Sequence, residues 1–161
     1  MILGIDIGAT GALAFLDPDG RLIAVHDMPC LADGTKGRKT LNTPLFAGNV
    51  FNSHARQAFV EYVGVRPGEG AVGAFAVGRS KGVVEGVLSA CGLPVVFLTP
   101  PNWKRIIGIP MGKDGAKDAA RSNAIRRWPA KADLFARVKD DGRAEAALIG
   151  LAGLMREWRN Q

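Results

Sequence analysis

The chain has 161 residues, a formal net charge of +6, 47% hydrophobic and 22% charged residues. This predicts a single globular domain over residues 1–161, long enough to bury its own core, and excludes a disordered or collagen-like chain. No apolar run approaches the roughly 18 residues of a membrane span, the N-terminus opens into a strand pattern rather than a signal peptide, and Cys30 and Cys91 are isolated thiols, so a soluble protein of a reducing cytoplasm is expected.

In chain order, residues 2–7 are a β-branched apolar run and predict a strand, with Ala12–Leu16 a second. Asp17-Pro18-Asp19-Gly20 is a strong turn, and residues 22–28 predict a third strand. Three short strands joined by tight turns make an antiparallel meander. Residues 30–43 are polar and Gly-containing and read as a mobile connection. Thr43-Pro44 has the cap-and-proline signature of a short helix. Residues 58–63 predict a fourth strand, 64–73 a Gly-rich loop, 75–91 a helix stopped by Gly92, and 94–98 a fifth strand. A helical turn at 102–107, a Gly/Lys loop at 108–117, a basic helix at 119–128 halted by Pro129, and a long helix from Asp141 to Trp158 complete the chain. The order β-β-β-(α)-β-α-β-α-α predicts an α/β protein with helices packed on a mixed sheet.

The charge is uneven. Residues 1–99 hold eight Lys/Arg and eight Asp/Glu; residues 100–161 hold thirteen and seven, so the whole surplus lies in the last 62 residues. A basic half on a neutral half points to a polyanion partner, with nucleic acid first. Lys104, Arg105, Lys113, Lys117 and Arg121 form the expected phosphate-binding surface, with the 64–73 loop on its rim and Arg66 and Lys81 adding to it. These read as phosphate contacts without base-specific readout.

Two acids interrupt apolar strands. Asp6 ends the first predicted strand, and Glu61 sits within the fourth. A charge in such a run needs a reason. If the two strands are neighbours, the acids meet at one sheet end. Asp140, Asp141 and Glu145 open the last helix. Asp141 and Glu145 are four apart, hence on one helix face about 5–6 Å apart, where a bound cation would reverse their repulsion. Acids at a helix N-terminus also suit its dipole, which accounts for Asp140 and Asp141 better than for Glu145. Carboxylates with waters suit Mg²⁺, and a pair of such ions serves phosphodiester cleavage. His26 and His54 stand apart and read as structural residues.

Five segments carry a resemblance. ILGIDIGATGALAFLD, FVEYV, VRPGEGAVGAFAVGRSKGVVEGVL, FLTPPNWKR and KDDGRAEAALIGL resemble, in that order, motifs of the RuvC family of Holliday junction resolvases in the RNase H-like superfamily. The G-R-S-x-G pattern at residues 78–82 is similar to the compact phage and prophage members. The likeness spans nearly the whole chain except 29–56. It implies an RNase H-like fold with a five-stranded mixed sheet of order 3-2-1-4-5, flanked by helices. It implies a crossover junction endonuclease in a bacterial or phage-infected cytoplasm, acting as a homodimer on branched DNA. It implies catalytic and metal-binding roles for Asp6, Glu61, Asp141 and Glu145, with two Mg²⁺ ions per site and Mn²⁺ able to substitute. Family members carry two Asp three apart at the start of the last helix; here Gly142 holds the position three before Glu145, which leaves the fourth ligand to Asp141, or to Asp140 as second choice.

The helix at 75–91 carries Gly78, Gly82 and Gly86 at a spacing of four. This stripe serves either a dimer interface or packing on the chain's own sheet. Three other functions compete with junction cleavage. One is an RNase H-like nuclease for flap DNA or structured RNA. Another is a non-catalytic DNA-binding module. The third is an actin-like phosphate-binding ATPase, whose first phosphate loop the opening segment also resembles. That last reading needs a second phosphate loop, which the chain lacks.

Overall fold

The computed structural model describes residues 1–34, 37–65, 67–110 and 116–159, with the side chains of 116 and 117 left aside. The elements are β1 (Ile2–Asp6), β2 (Ala12–Leu16), β3 (Leu22–Asp27), β4 (Cys30–Ala32), β5 (Lys39–Leu41), α1 (Thr43–Asn52), β6 (Gln57–Glu61), α2 (Ala71–Ala90), β7 (Val95–Leu98), α3 (Pro100–Ile107), α4 (Ala116–Arg127), two 3₁₀ segments (Pro129–Phe135 and Val138–Asp140) and α5 (Asp141–Trp158). The main sheet has the order β3-β2-β1-β6-β7. β1–β2 and β2–β3 pair antiparallel, while β1–β6 and β6–β7 pair parallel.

These five strands are the five expected ones in the expected spatial order. The numbering 3-2-1-4-5 becomes 3-2-1-6-7 because residues 30–43 are not a bare connection. They form the β4–β5 hairpin, with Cys30 opposite Leu41 and Ala32 opposite Lys39. Cys30 and Leu41 pack against the core on one side of the sheet, an anchoring that the polar composition of the segment conceals. Asn42, not Thr43, caps α1: its side chain accepts the Leu45 amide at 3.3 Å, and Pro44 falls in the first turn. Helix α2 begins at Ala71, four residues earlier than expected, because its first turns carry exposed Val72 and Phe75 and bury nothing that a periodic pattern reveals. The expected loop at 108–117 lies partly outside the described residues.

Alternation along the strands sorts the core into two layers. Ile2 of β1 and Phe59 of β6 face the layer built with α3, α4 and α5. Leu3, Ile5, Ala58 and Val60 face the layer built with α1 and α2. α5 lies directly on β1: a Cβ on Gly4 would stand 2.2 Å from the Ala146 carbonyl oxygen and 2.7 Å from the Gly150 nitrogen. The helix backbone reaches the strand because neither Gly4 nor Gly150 has a side chain. Among the described residues, no helix is long and apolar enough to cross a membrane.

Candidate active site

The two strand acids converge by simple parity. β1 and β6 are adjacent and parallel, with Ile5 opposite Val60, so Asp6 and Glu61 follow one step later at the same strand ends. Asp6 shares the parity of Ile2 and Gly4, and Glu61 that of Phe59, so both belong to the α5 face of the sheet. Both are half-buried.

α5 brings the remaining acids to this end. Its first turn rests on the β1–β2 loop so tightly that a Cβ on Gly142 would stand 2.1 Å from the Thr10 carbonyl oxygen and 2.9 Å from the Gly11 Cα. Asp141 and Glu145, both half-buried, flank this contact. The departure at Gly142 therefore has a physical reason: position 142 has no room for any side chain.

Asp140 is engaged within the chain. It is 1% exposed. The Arg137 guanidinium donates to it at 2.8 Å, the Arg137 amide at 2.9 Å, and Arg143 stands 3.8 Å away. Arg137 holds the Asp140 carboxyl below its ordinary value of 3.8, against the opposing effect of burial. A carboxylate with a depressed native pKa stabilises the fold above its unfolded value, and that contribution disappears as pH falls through the native one. We expect Asp140→Asn to cost about 1 kcal/mol at pH 7, the difference between a charged and a neutral hydrogen bond. For a chain of this size that lowers Tm by roughly 2–4 °C. The deficit should close below pH 3.8, as wild-type Asp140 itself becomes protonated. Thermal melts of both proteins across acid pH check this.

Helix α3 supplies partners for two of the acids from consecutive residues. The indole of Trp103, which is fully buried, donates to Glu61 Oε1 at 2.9 Å. Lys104 Nζ stands 4.0 Å from Glu145 Oε1 and 5.2 Å from the centre of the Trp103 ring. Trp103 lies in the FLTPPNWKR motif, but the sequence reading gave no role to this residue. Its signal lay in the NWKR segment, where an aromatic precedes the first basic residue after β7.

The donors are carboxylates, the type that suits a hard divalent cation. Among the described residues, no three His, Cys, Asp or Glu side chains stand close enough together to hold a metal ion as they are. Like charges repel at such a convergence, and here the Trp103 indole and the Lys104 ammonium engage two of the carboxylates individually.

The expected basic surface divides. Lys104 and exposed Arg105 lie on α3, beside the acids. Lys81 Nζ sits 4.1 Å from the Tyr62 ring centre and 3.8 Å from Glu85. Arg121 is engaged within the chain: its side chain is 15% exposed, pairs with Asp118, and donates to the Ala136 carbonyl at 3.2 Å, which ties α4 to the end of the following 3₁₀ segment. Lys117 lies in the first turn of α4 with its side chain outside the described residues. Arg66 and Lys113 lie outside the described residues.

No protein family model matches the chain, and no curated protein matches it. Solved structures do. RuvC of T. thermophilus in complex with Holliday junction substrate is similar with a TM-score of 0.60 and 15% identity, over 98% of this chain and 94% of that one. A second Thermus thermophilus RuvC structure gives 0.61 and 16%, over 99% and 96%. The chain has the RuvC fold. At these identities the likeness is one of architecture, extending over nearly the full length of both proteins.

Proposed function

We propose that this protein is a metal-dependent, structure-specific endonuclease that cleaves four-way and related branched DNA junctions. The observation that carries the reading is that Asp6 and Glu61 stand at adjacent parallel strand ends of a RuvC fold, with the start of α5 packed on the β1–β2 loop beside them. Asp6, Glu61, Asp141 and Glu145 would hold the cations. When bound, two Mg²⁺ ions, or Mn²⁺ in their place, supply an activated water and charge stabilisation for the leaving oxygen. The chain's own residues do the rest: Trp103 orients Glu61, and Lys104, Arg105, Lys113, Lys117 and Arg121 hold the phosphate backbone, with Arg66 and Lys81 adding to them. The likeness to compact phage and prophage members rests on the sequence pattern at residues 78–82.

The partner surface belongs to the same proposal. Among the described residues, nothing lies within 4 Å of where a Cβ would stand on Gly78, Gly82 or Gly86. The stripe therefore does not pack on the chain's own sheet, and Val72 and Phe75 extend it as exposed apolar surface, 64% and 72% accessible. A homodimer formed through α2 suits a two-fold symmetric junction. The expected result is paired, symmetric nicks on a synthetic four-way junction in Mg²⁺, none in EDTA, and little cutting of a linear duplex at matched salt. Equal rates on linear and branched DNA would sink the junction reading and leave a generic nuclease.

Gly82→Glu tests the interface. The open space around Gly82 accepts the side chain, and the substitution gains about 0.5–1 kcal/mol of helix propensity. The variant should remain folded, with a melting temperature that no longer depends on protein concentration, sediment as a monomer, and release single nicks in place of resolved products. Wild type that sediments as a monomer, free and on DNA, would refute the dimer.

A further inference from the structure

A second basic tract lies on the opposite side of the acids from α3. Between the β1–β2 loop, the β4–β5 hairpin and the 3₁₀ segment before α5 runs an open cleft of about 440 Å³, lined by Thr10, Gly11, Arg38, Lys39, Arg137 and Lys139. Asp27 and Asp140 also border it, but each is neutralised in place. Arg143 donates to Asp27 at 2.7 Å, and Arg137 to Asp140 at 2.8 Å. That leaves Arg38, Lys39 and Lys139 as exposed cations, and among the described residues none of the three has an ion pair.

Position gives this cleft its meaning. Its wall at Thr10 and Gly11 is the backbone against which Gly142 packs, so the cleft opens beside the α5 turn that carries Asp141 and Glu145. It lies toward the β3 edge of the sheet, whereas Trp103 and Lys104 approach from beyond β7. The acids therefore sit between two basic flanks. A single flank can hold a polyanion beside the site; two flanks on opposite sides hold it across the site.

We infer that this cleft seats the phosphate backbone of the nucleic-acid strand on one side of the bond to be cut, while α3 holds it on the other. The inference rests on the nuclease reading and adds to it a path for the strand. Phosphate contacts of this kind set register and orientation without reading sequence. They release counterions, so each one lost lowers the salt dependence of binding by about 0.7 for a single strand or 0.9 for a duplex.

The test is a titration of the full-length protein against a fluorescein-labelled four-way DNA junction in EDTA, by anisotropy, over a range of NaCl. Three proteins are compared: wild type, Lys39→Gln with Lys139→Gln, and Arg156→Gln with Arg159→Gln. The last pair removes the same charge from exposed positions at the far end of α5. Arg137 is left intact because it holds Asp140. All substituted side chains are exposed, and thermal melts confirm that each variant is folded. The cleft pair should lower the slope of log K against log salt by about 1.4–1.8, and the far pair should leave it unchanged. An equal loss in both pairs would overturn the inference, because it would report net charge instead of place. An unchanged slope in the cleft pair, with tight binding by wild type, would overturn the cleft and leave the nuclease reading standing. No binding by wild type would overturn both.

Discussion

Asp6→Asn should reduce cleavage of a four-way junction by about 10³-fold or more, while junction affinity in EDTA stays within about threefold of wild type, since binding is mostly phosphate electrostatics. The substitution keeps the shape of the side chain and removes only its charge at the end of β1. Glu61→Gln is the companion variant. Gln still offers a carbonyl oxygen to the Trp103 indole, which donates to Glu61 at 2.9 Å, so the local structure keeps its hydrogen bond and the charge alone is lost. Loss of cleavage in both, with unchanged thermal melts, separates a catalytic role from a structural one. Full activity in either variant would remove that acid from the site.

Gly142→Asp should be the most damaging single substitution at the site. It restores an acid three residues before Glu145, the spacing of the family that the sequence resembles. In this chain the turn packs too closely on the β1–β2 loop to accommodate it. The new Cβ would stand 2.1 Å from the Thr10 carbonyl oxygen, a backbone atom of a loop tied down by the Gly11–Gly8 and Met28–Gly11 hydrogen bonds. Relief requires the first turn of α5 to move off the β1–β2 loop, taking Asp141 and Glu145 with it. Overpacking of this kind costs about 3 kcal/mol, a fall in Tm of roughly 6–12 °C for a chain of this length, and cleavage should fall with it. Asp141→Asn in the same turn meets no such obstacle and should melt close to wild type while losing activity. A Gly142→Asp protein as stable and as active as wild type would show that the loop yields, and would reopen the question of which position carries the fourth acid.

Much of the architecture was legible in the residues because it rests on local signals. Short apolar runs bounded by turns and loops marked all five strands of the main sheet, and the apolar period of residues 141–158 marked α5. Asp6 and Glu61 stood out because each breaks an apolar strand, a conflict that a single sequence displays openly. Their meeting depended on β1 and β6 being neighbours, which the pairing Ile5–Val60 establishes. What stayed hidden depended on distant partners. The β4–β5 hairpin is held by packing of Cys30 and Leu41 on a core drawn from elsewhere in the chain, so its own polar composition read as a connection. The partners of Arg121, Asp118 and the Ala136 carbonyl, likewise did not show in the basic composition of its segment.

The start of α5 shows the division most sharply. By sequence alone the chain determined that a helix begins near residue 141 with acids in its first turn, because charge at a helix N-terminus and apolar periodicity are both local properties. Only the tertiary structure separated the environments of these positions: Asp140 is buried and bound by Arg137, Gly142 is pressed against Thr10, and Asp141 between them is half-buried. That outcome comes from how closely one helix turn approaches one loop, a distance set by packing across the whole α5–sheet layer and written at no single position.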